Sequence, residues 1–287
     1  MTVFARLRRT AALTAVVAAT ALSLTACAFA PTGSDPAAPA SEGALQTVTP
    51  GKLTIATGEP AFSPWVENDD PASGEGFEAA VADAVATQLG FDKENVVWVR
   101  STFDSAIAPG AKDWDLNLQQ FSITEERKQA VDFSSPYYTT TQAVVTTGSS
   151  PAASATTVAE LKNVPVGVMS ATTSYSVAEE QLGTANLSVF NSNDDAVAAL
   201  QAGQVDAIVV DLPTAFYLAG AVLDDGEVVG QLPDSSAGGD ELAFVLPKGS
   251  ALTAPVSEAV DALRADGTLD ELQQKWLADA VDAPVLG

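Results

Sequence analysis

Strand-like and helix-like segments alternate along most of this chain, and that alternation restricts its fold more than any other feature. Leu53-Thr54-Ile55-Ala56 reads as a first strand. Phe77, Ala80, Val81, Ala84, Val85 and Leu89 then fall at helical spacing, and Gly90 ends the helix. Val96-Val97-Trp98-Val99 gives a second strand, and Asp115 to Phe121 a third. Further on come Val164 to Met169 (strand), Thr172 to Leu182 (helix), Leu187 to Phe190 (strand), Asp194 to Gln201 (helix) and Val205 to Val210 (strand). A strand from Leu242 to Leu246 and helices near Ala254 to Ala265 and Leu269 to Ala278 close the chain. Such alternation predicts an α/β protein with mostly parallel sheets and ligand sites at the carboxyl ends of strands.

Two stretches interrupt the pattern. Tyr137 to Thr147 is a polar, β-rich run leading into the Ser/Ala loop Gly148 to Thr157, and Leu232 to Gly239 is rich in turn residues. If both cross between lobes, residues 51–139 begin lobe 1, 140–233 form lobe 2, and 234–287 return to lobe 1. A cleft between two lobes joined by two strands is a hinge-bending ligand trap.

The first 26 residues are set apart. Arg6, Arg8 and Arg9 precede an uncharged, alanine-rich run from Ala11 to Ala26, the layout of a secretory signal peptide. The run is too short for a transmembrane helix, which takes ~20 apolar residues. Leu24-Thr25-Ala26-Cys27 resembles the bacterial lipobox, in which the cysteine is lipidated and becomes the mature N-terminus; the alternative is a buried free cysteine beside an ordinary cleavage site. Residues 27–50 read as lipidated Cys27 and a flexible tether of Ala, Pro, Ser, Thr and Gly with few charges. The expected location is the outer face of the cytoplasmic membrane, with the Arg8-Arg9 pair leaving the export route open.

Charge and composition exclude several classes. Without residues 1–26 the chain has ten basic against 37 acidic residues, a net −27. That balance argues against nucleic acid and anionic lipid surfaces as partners. There is no histidine, so His-based triads, His general bases and His metal ligands are all excluded. No cofactor and no metal is expected, and the protein is expected to be a monomer.

Several ordered blocks carry a family resemblance. Phe121-Ser122-Ile123-Thr124-Glu125-Glu126-Arg127, with Val131-Asp132-Phe133-Ser134-Ser135-Pro136-Tyr137-Tyr138, resembles the signature of family 3 extracellular solute-binding proteins. Gly58 to Trp65, Gly76-Phe77-Glu78, Val205 to Asp211, and the tail Asp266-Gly267-Thr268 with Gln274-Lys275-Trp276 match in order. The resemblance implies a two-lobed, type II periplasmic-binding-protein-like fold with the ligand cleft between lobes joined by two hinge strands. It implies an amino acid as ligand and, as partners, an ABC permease with its ATPase. It makes Arg127 the clamp for the ligand carboxylate, supported by Ser122, Thr172 and Thr173, and Asp211 the acceptor for its ammonium. Phe62, Trp65 and Phe103 become walls of the site, and Glu59 the acid that meets the polar end of the ligand side chain. Gln119 and Gln120 depart from the small residues usual in the family, and Ala171 stands where glycine is commoner.

The residues support these roles on their own chemistry. A guanidinium meets a carboxylate with two parallel hydrogen bonds, which lysine cannot do, and Arg127 is one of few arginines in the body. The competing readings are ordinary: a surface arginine in a charged turn, an aspartate capping the next helix, core aromatics, and an exposed loop glutamate. A polar or cationic amino acid is favoured by Glu59 and the glutamines. The rival functions are a dehydratase-like enzyme on the same fold, a ligand sensor for a membrane receptor, and a structural surface lipoprotein.

Overall fold

Leu53, Ile55 and Ala56 alternate with Thr54 and Thr57 in a segment with no charged residue, and in the computed structural model β1 (Leu53–Thr57) is buried along its whole length. The structure describes residues 45–233, 239–278 and 283–287. In the first lobe β1 is followed by α1 (Phe77–Gln88), β2 (Val96–Arg100), α2 (Phe103–Ile107), the two-residue β3 (Leu116–Asn117), β4 (Val131–Phe133) and β5 (Tyr138–Thr140). The second lobe holds β6 (Gln142–Thr147), α3 (Val158–Leu161), β7 (Val166–Met169), α4 (Thr173–Leu182), β8 (Leu187–Phe190), α5 (Asn193–Gln201), β9 (Ala207–Asp211), α6 (Leu212–Tyr217) and β10 (Gly226–Gln231). The chain returns through β11 (Asp240–Leu242) to β12 (Val245–Pro247), α7 (Thr253–Ala265) and α8 (Thr268–Leu277) in the first lobe.

Each lobe has a five-stranded mixed sheet, ordered β2-β1-β3-β12-β4 in one and β10-β6-β9-β7-β8 in the other. The core strands of each are parallel (β1 with β2 and β3, β7 with β8 and β9), and antiparallel strands complete the sheet. Apolar faces of α1, α7 and α8 cover one side of the first sheet through Phe77, Val81, Val256, Val260 and Leu269. In the second lobe α5 and α6 pack on one face of the sheet and α4 on the other. The antiparallel pair β5–β11 joins the lobes, with Asp240 opposite Thr140 and Leu242 opposite Tyr138.

Four expectations need correction. Residues 45–50, inside the stretch read as tether, belong to the compact unit Leu45–Gly287. Leu45 packs on the first-lobe core, and the backbone N–H of Val48 donates to Asp115 across 2.7 Å. The tail does not stay on the first lobe: Val285 pairs with Gln231, Leu286 is buried in the second-lobe core, and Val158 donates to the Gly287 carbonyl. The third strand is only Leu116–Asn117, because the chain turns into left-handed backbone at Gln120 (φ 51°). The strand expected from Leu242 to Leu246 divides between hinge and sheet, since Leu242 pairs with Tyr138 and Val245 with Phe133 and Asn117. Cys27 and the signal-peptide region lie outside the described residues.

Candidate functional site

The loop after β1 is attached to the helix that follows it. The first helix has no side-chain cap; the N–H of Phe77 donates to the Pro64 carbonyl, and those of Glu78 and Ala79 donate to the Trp65 carbonyl. These bonds satisfy helix-end donors that would otherwise be orphaned. They require Gly76: its φ is 98°, and a Cβ there would lie 2.5 Å from the Trp65 carbonyl oxygen. From β2, Arg100 donates to the Gly58 carbonyl (2.5 Å) and to Asp69 (2.6 Å), while Asp69 accepts from the N–H of Ala61. The loop carrying Glu59, Phe62 and Trp65 is thereby held at the carboxyl end of β1.

A cavity of about 400 Å³ lies between the lobes. Glu59, Phe62, Trp65, Phe103, Gln120 and Arg127 line it from the first lobe, and Thr172, Thr173 and Asp211 from the second. Of the sequence-derived candidates only Ser122 is set back from the lining: it is 2 % exposed, and its hydroxyl lies 3.1 Å from that of Thr173 across the lobe boundary.

Arg127 begins a single 3-10 turn (Arg127–Gln129) and is buried, which removes the reading of a surface arginine. Its Nη1 donates to the Ser122 carbonyl at 2.8 Å, and its Nη2 to the Ala171 carbonyl of the other lobe at 2.9 Å. The guanidinium lies 5.3 Å from the centre of the Phe103 ring, which is itself stacked on Phe121 at 4.7 Å. Among the described residues these two bonds leave three of its five side-chain donors uncommitted. Burial lowers its pKa, and the nearby charges of Asp240 and Asp211 oppose that change. Ala171 carries φ 59°, a region costly for a residue with a Cβ. It turns its carbonyl to Arg127 immediately before Thr172, whose hydroxyl caps α4 by accepting from the N–H of Tyr175.

Asp211 ends β9 and precedes α6, yet its side chain makes no cap bond to that helix. It accepts instead from the side-chain amide of Gln142 at 2.7 Å. Burial pushes its pKa up to about 7, with repulsion from Asp240 and Glu78 adding to the rise and the Gln142 bond and Arg127 opposing it. The helix-cap reading of this residue is therefore set aside.

The aromatic candidates part company. Phe62 is 41 % exposed, an open wall of the cleft, whereas Trp65 is 1 % exposed. Trp65 packs edge-on against Phe77 and Tyr138 in the first-lobe core, and its indole N–H donates to the Thr214 hydroxyl of α6. Gln120 lines the cleft, and its side-chain nitrogen also donates to the buried carboxylate of Glu78. Glu78 further accepts from the Gln120 N–H and from the Tyr137 hydroxyl, and burial raises its pKa to about 7. Gln119 lines the cleft and bonds Asn117.

Sequence reading missed Thr214, Gln142, and the lining stretch Asn191-Ser192-Asn193-Asp194. The last had a usable signal, since it follows a parallel strand at its carboxyl end. Gln142 had none, because its partners lie far away in sequence.

Residues 53–279 match the bacterial extracellular solute-binding proteins, family 3. The chain belongs to this family. Family relatives include the L-arginine-binding protein of Pseudomonas aeruginosa, 30% identical over 227 residues that cover 77% of this chain and 86% of that protein. Among solved structures, an ancestral arginine-binding protein bound to glutamine superposes with a TM-score of 0.66 at 29% identity, covering 79% of this chain and 98% of that one. An ancestral amino-acid-binding protein described as a precursor of cyclohexadienyl dehydratase gives 0.63 at 30% identity, covering 79% and 95%. The type II, two-lobed architecture with its ligand cleft between hinge-joined lobes is thus that of this family.

Proposed function

We propose that this solute-binding protein captures a free amino acid, with a cationic side chain favoured, and delivers it without chemical change to an ABC permease and its ATPase. One observation carries the reading: a guanidinium with three uncommitted donors and a carboxylate face the same cleft from opposite lobes. A zwitterion has one group for each. Arg127 would take the ligand carboxylate, helped by Thr172 and Thr173 at the start of α4, and Asp211 the ammonium. Contacts from both lobes to one small molecule favour the closed arrangement, and closure is the signal a permease reads.

The preference for a cation follows from the charges that remain. Besides Asp211, the lining contains Glu59 and Asp194, and Arg127 is its single basic residue. Once the zwitterion has paired with Arg127 and Asp211, the charged groups left in the described lining are the carboxylates of Glu59 and Asp194. The names of the arginine-binding relatives support the same class. The N-terminal sequence supports export with Cys27 as the lipid attachment point.

The test is a thermal-shift screen of ligand-stripped protein, residues 28–287, against the twenty amino acids and ornithine. At 100 times its dissociation constant a ligand stabilises by about 2.7 kcal/mol. Arginine, lysine or ornithine is expected to raise the melting temperature most. No shift with any amino acid would overturn the reading, and turnover of a bound amino acid would replace it with an enzymatic one. Cys27→Ser should release the full-length protein from the membrane fraction of its host.

A further inference from the structure

We infer that Gln142 is a positioning residue for the ammonium site: its side-chain amide gives one hydrogen to Asp211 and the other to Asp240, so the hinge strand fixes the carboxylate offered to the ligand. The inference rests on Asp211 being the ammonium acceptor proposed above.

Gln142 opens β6, two residues beyond the end of the hinge strand β5, and stands directly opposite Asp211 in the β6–β9 ladder. Directly opposed residues in a sheet project to the same face, so the two side chains meet. Nε2 lies 2.7 Å from Asp211 Oδ1 and 2.7 Å from Asp240 Oδ2, and Asp240 is in β11, the other hinge strand. On its other side the amide oxygen accepts from the Ser174 hydroxyl at 2.6 Å, in the first turn of α4. The side chain is 3 % exposed and its amide is fully used. The reverse amide orientation would set a carbonyl oxygen against two carboxylates, so the assignment of nitrogen and oxygen is fixed by chemistry.

One buried amide thus ties together the ammonium acceptor, the hinge and the helix start proposed for the ligand carboxylate. It occupies Oδ1 of Asp211, and among the described residues Oδ2 has no hydrogen-bond partner, which makes it the oxygen offered to the ligand. It also screens two carboxylates from each other. The charged and titratable groups around Asp211 are Asp240 on β11, Glu78 on α1, Arg127 in the turn after β3, and the hydroxyls of Tyr137 and Tyr138 beside and on β5. Removing the amide and removing the Asp240 charge therefore act on Asp211 in opposite directions, which packing damage would not do.

The test is a carbon-13 NMR titration of the Asp211 carboxyl, assigned by its loss in Asp211→Asn, in wild type, Gln142→Met and Asp240→Asn. Asparagine at 240 keeps an acceptor for the amide and loses the charge. The expected result is a midpoint moved upward in Gln142→Met and downward in Asp240→Asn. Unmoved midpoints, or shifts of the same sign, would overturn the inference. Should Gln142→Met fail to fold, Gln142→Asn, which keeps an amide but draws it back from Asp211, is expected to move the midpoint upward as well, and an unmoved or lowered midpoint there would overturn the inference. In parallel, Gln142→Met is expected to lower L-arginine affinity about tenfold at pH 7 and much less at pH 8.5; an equal loss at both would count against the positioning role. Failure of wild type to bind L-arginine would remove support from the cationic reading and leave the titration result standing.

Discussion

The indole N–H of Trp65, in the first lobe, reaches the hydroxyl of Thr214, in the second, across 3.0 Å. Trp65 is buried against Phe77 and Tyr138, so the bond anchors α6 to the rigid core of the opposite lobe rather than to a mobile loop. Such a bond contributes about 0.5–1.5 kcal/mol to whatever state contains it. Thr214→Val and Trp65→Phe should each speed amino-acid dissociation by roughly two- to tenfold, with little change in association. Stopped-flow fluorescence gives both rates, and the double variant should be no faster than the singles. Additive effects would show that the two residues act independently.

Arg127 has its guanidinium plane fixed by the carbonyls of Ser122 and Ala171 and by the face of Phe103. Arg127→Lys keeps the charge and loses the planar fork, so calorimetric affinity should fall by a hundredfold or so, in line with about 3 kcal/mol for breaking a desolvated pair. An affinity within threefold of wild type would remove Arg127 from the carboxylate-binding role.

Burial pushes the Asp211 carboxyl up to about 7, and only its deprotonated form attracts an ammonium. Affinity should therefore be highest above pH 7 and fall as pH drops through 7, by up to about tenfold per unit. Isothermal titrations from pH 5 to 8.5 report this directly. A flat profile would mean that Asp211 keeps its charge throughout or does not meet the ligand.

Glu78 is a buried acid whose partners among the described residues are Gln120 and Tyr137, and burial raises its pKa to about 7. The unfolded chain releases that proton near 4.5 and the folded protein only near 7, so the folded state holds more protons in between. Stability on its account falls as pH rises from about 4.5 to 7, and the penalty persists above 7. Glu78→Gln should gain melting temperature relative to wild type as pH is raised from 5 to 8. A difference independent of pH would show that Glu78 does not titrate in this range.

Local pattern was enough to draw most of the elements. The apolar stripe from Phe77 to Leu89 is α1, and the apolar run before Asp211 is β9, because helical and strand periodicities are written in neighbouring residues. The lining residues Glu59, Phe62, Arg127, Thr172 and Asp211 were legible through the resemblance to the family 3 solute-binding proteins, most of them in short motifs written in neighbouring residues. The bond from Gln120 to Glu78, 42 residues earlier, was not legible, because the two meet only in the folded chain.

By itself, then, the sequence determined the two-lobed α/β class, the family and the short motifs that face the cleft, all of which rest on contacts close in sequence or on residue type. Tertiary structure alone decided that Gln142 links Asp211 to Asp240, 69 and 98 residues away, and that Trp65 is bonded to Thr214 across 149. It also decided that the tail at Val285 and Leu286 returns to the second lobe. Hydrogen bonds and burial depend on which surfaces meet in space, and no local periodicity encodes a meeting between strands so far apart along the chain.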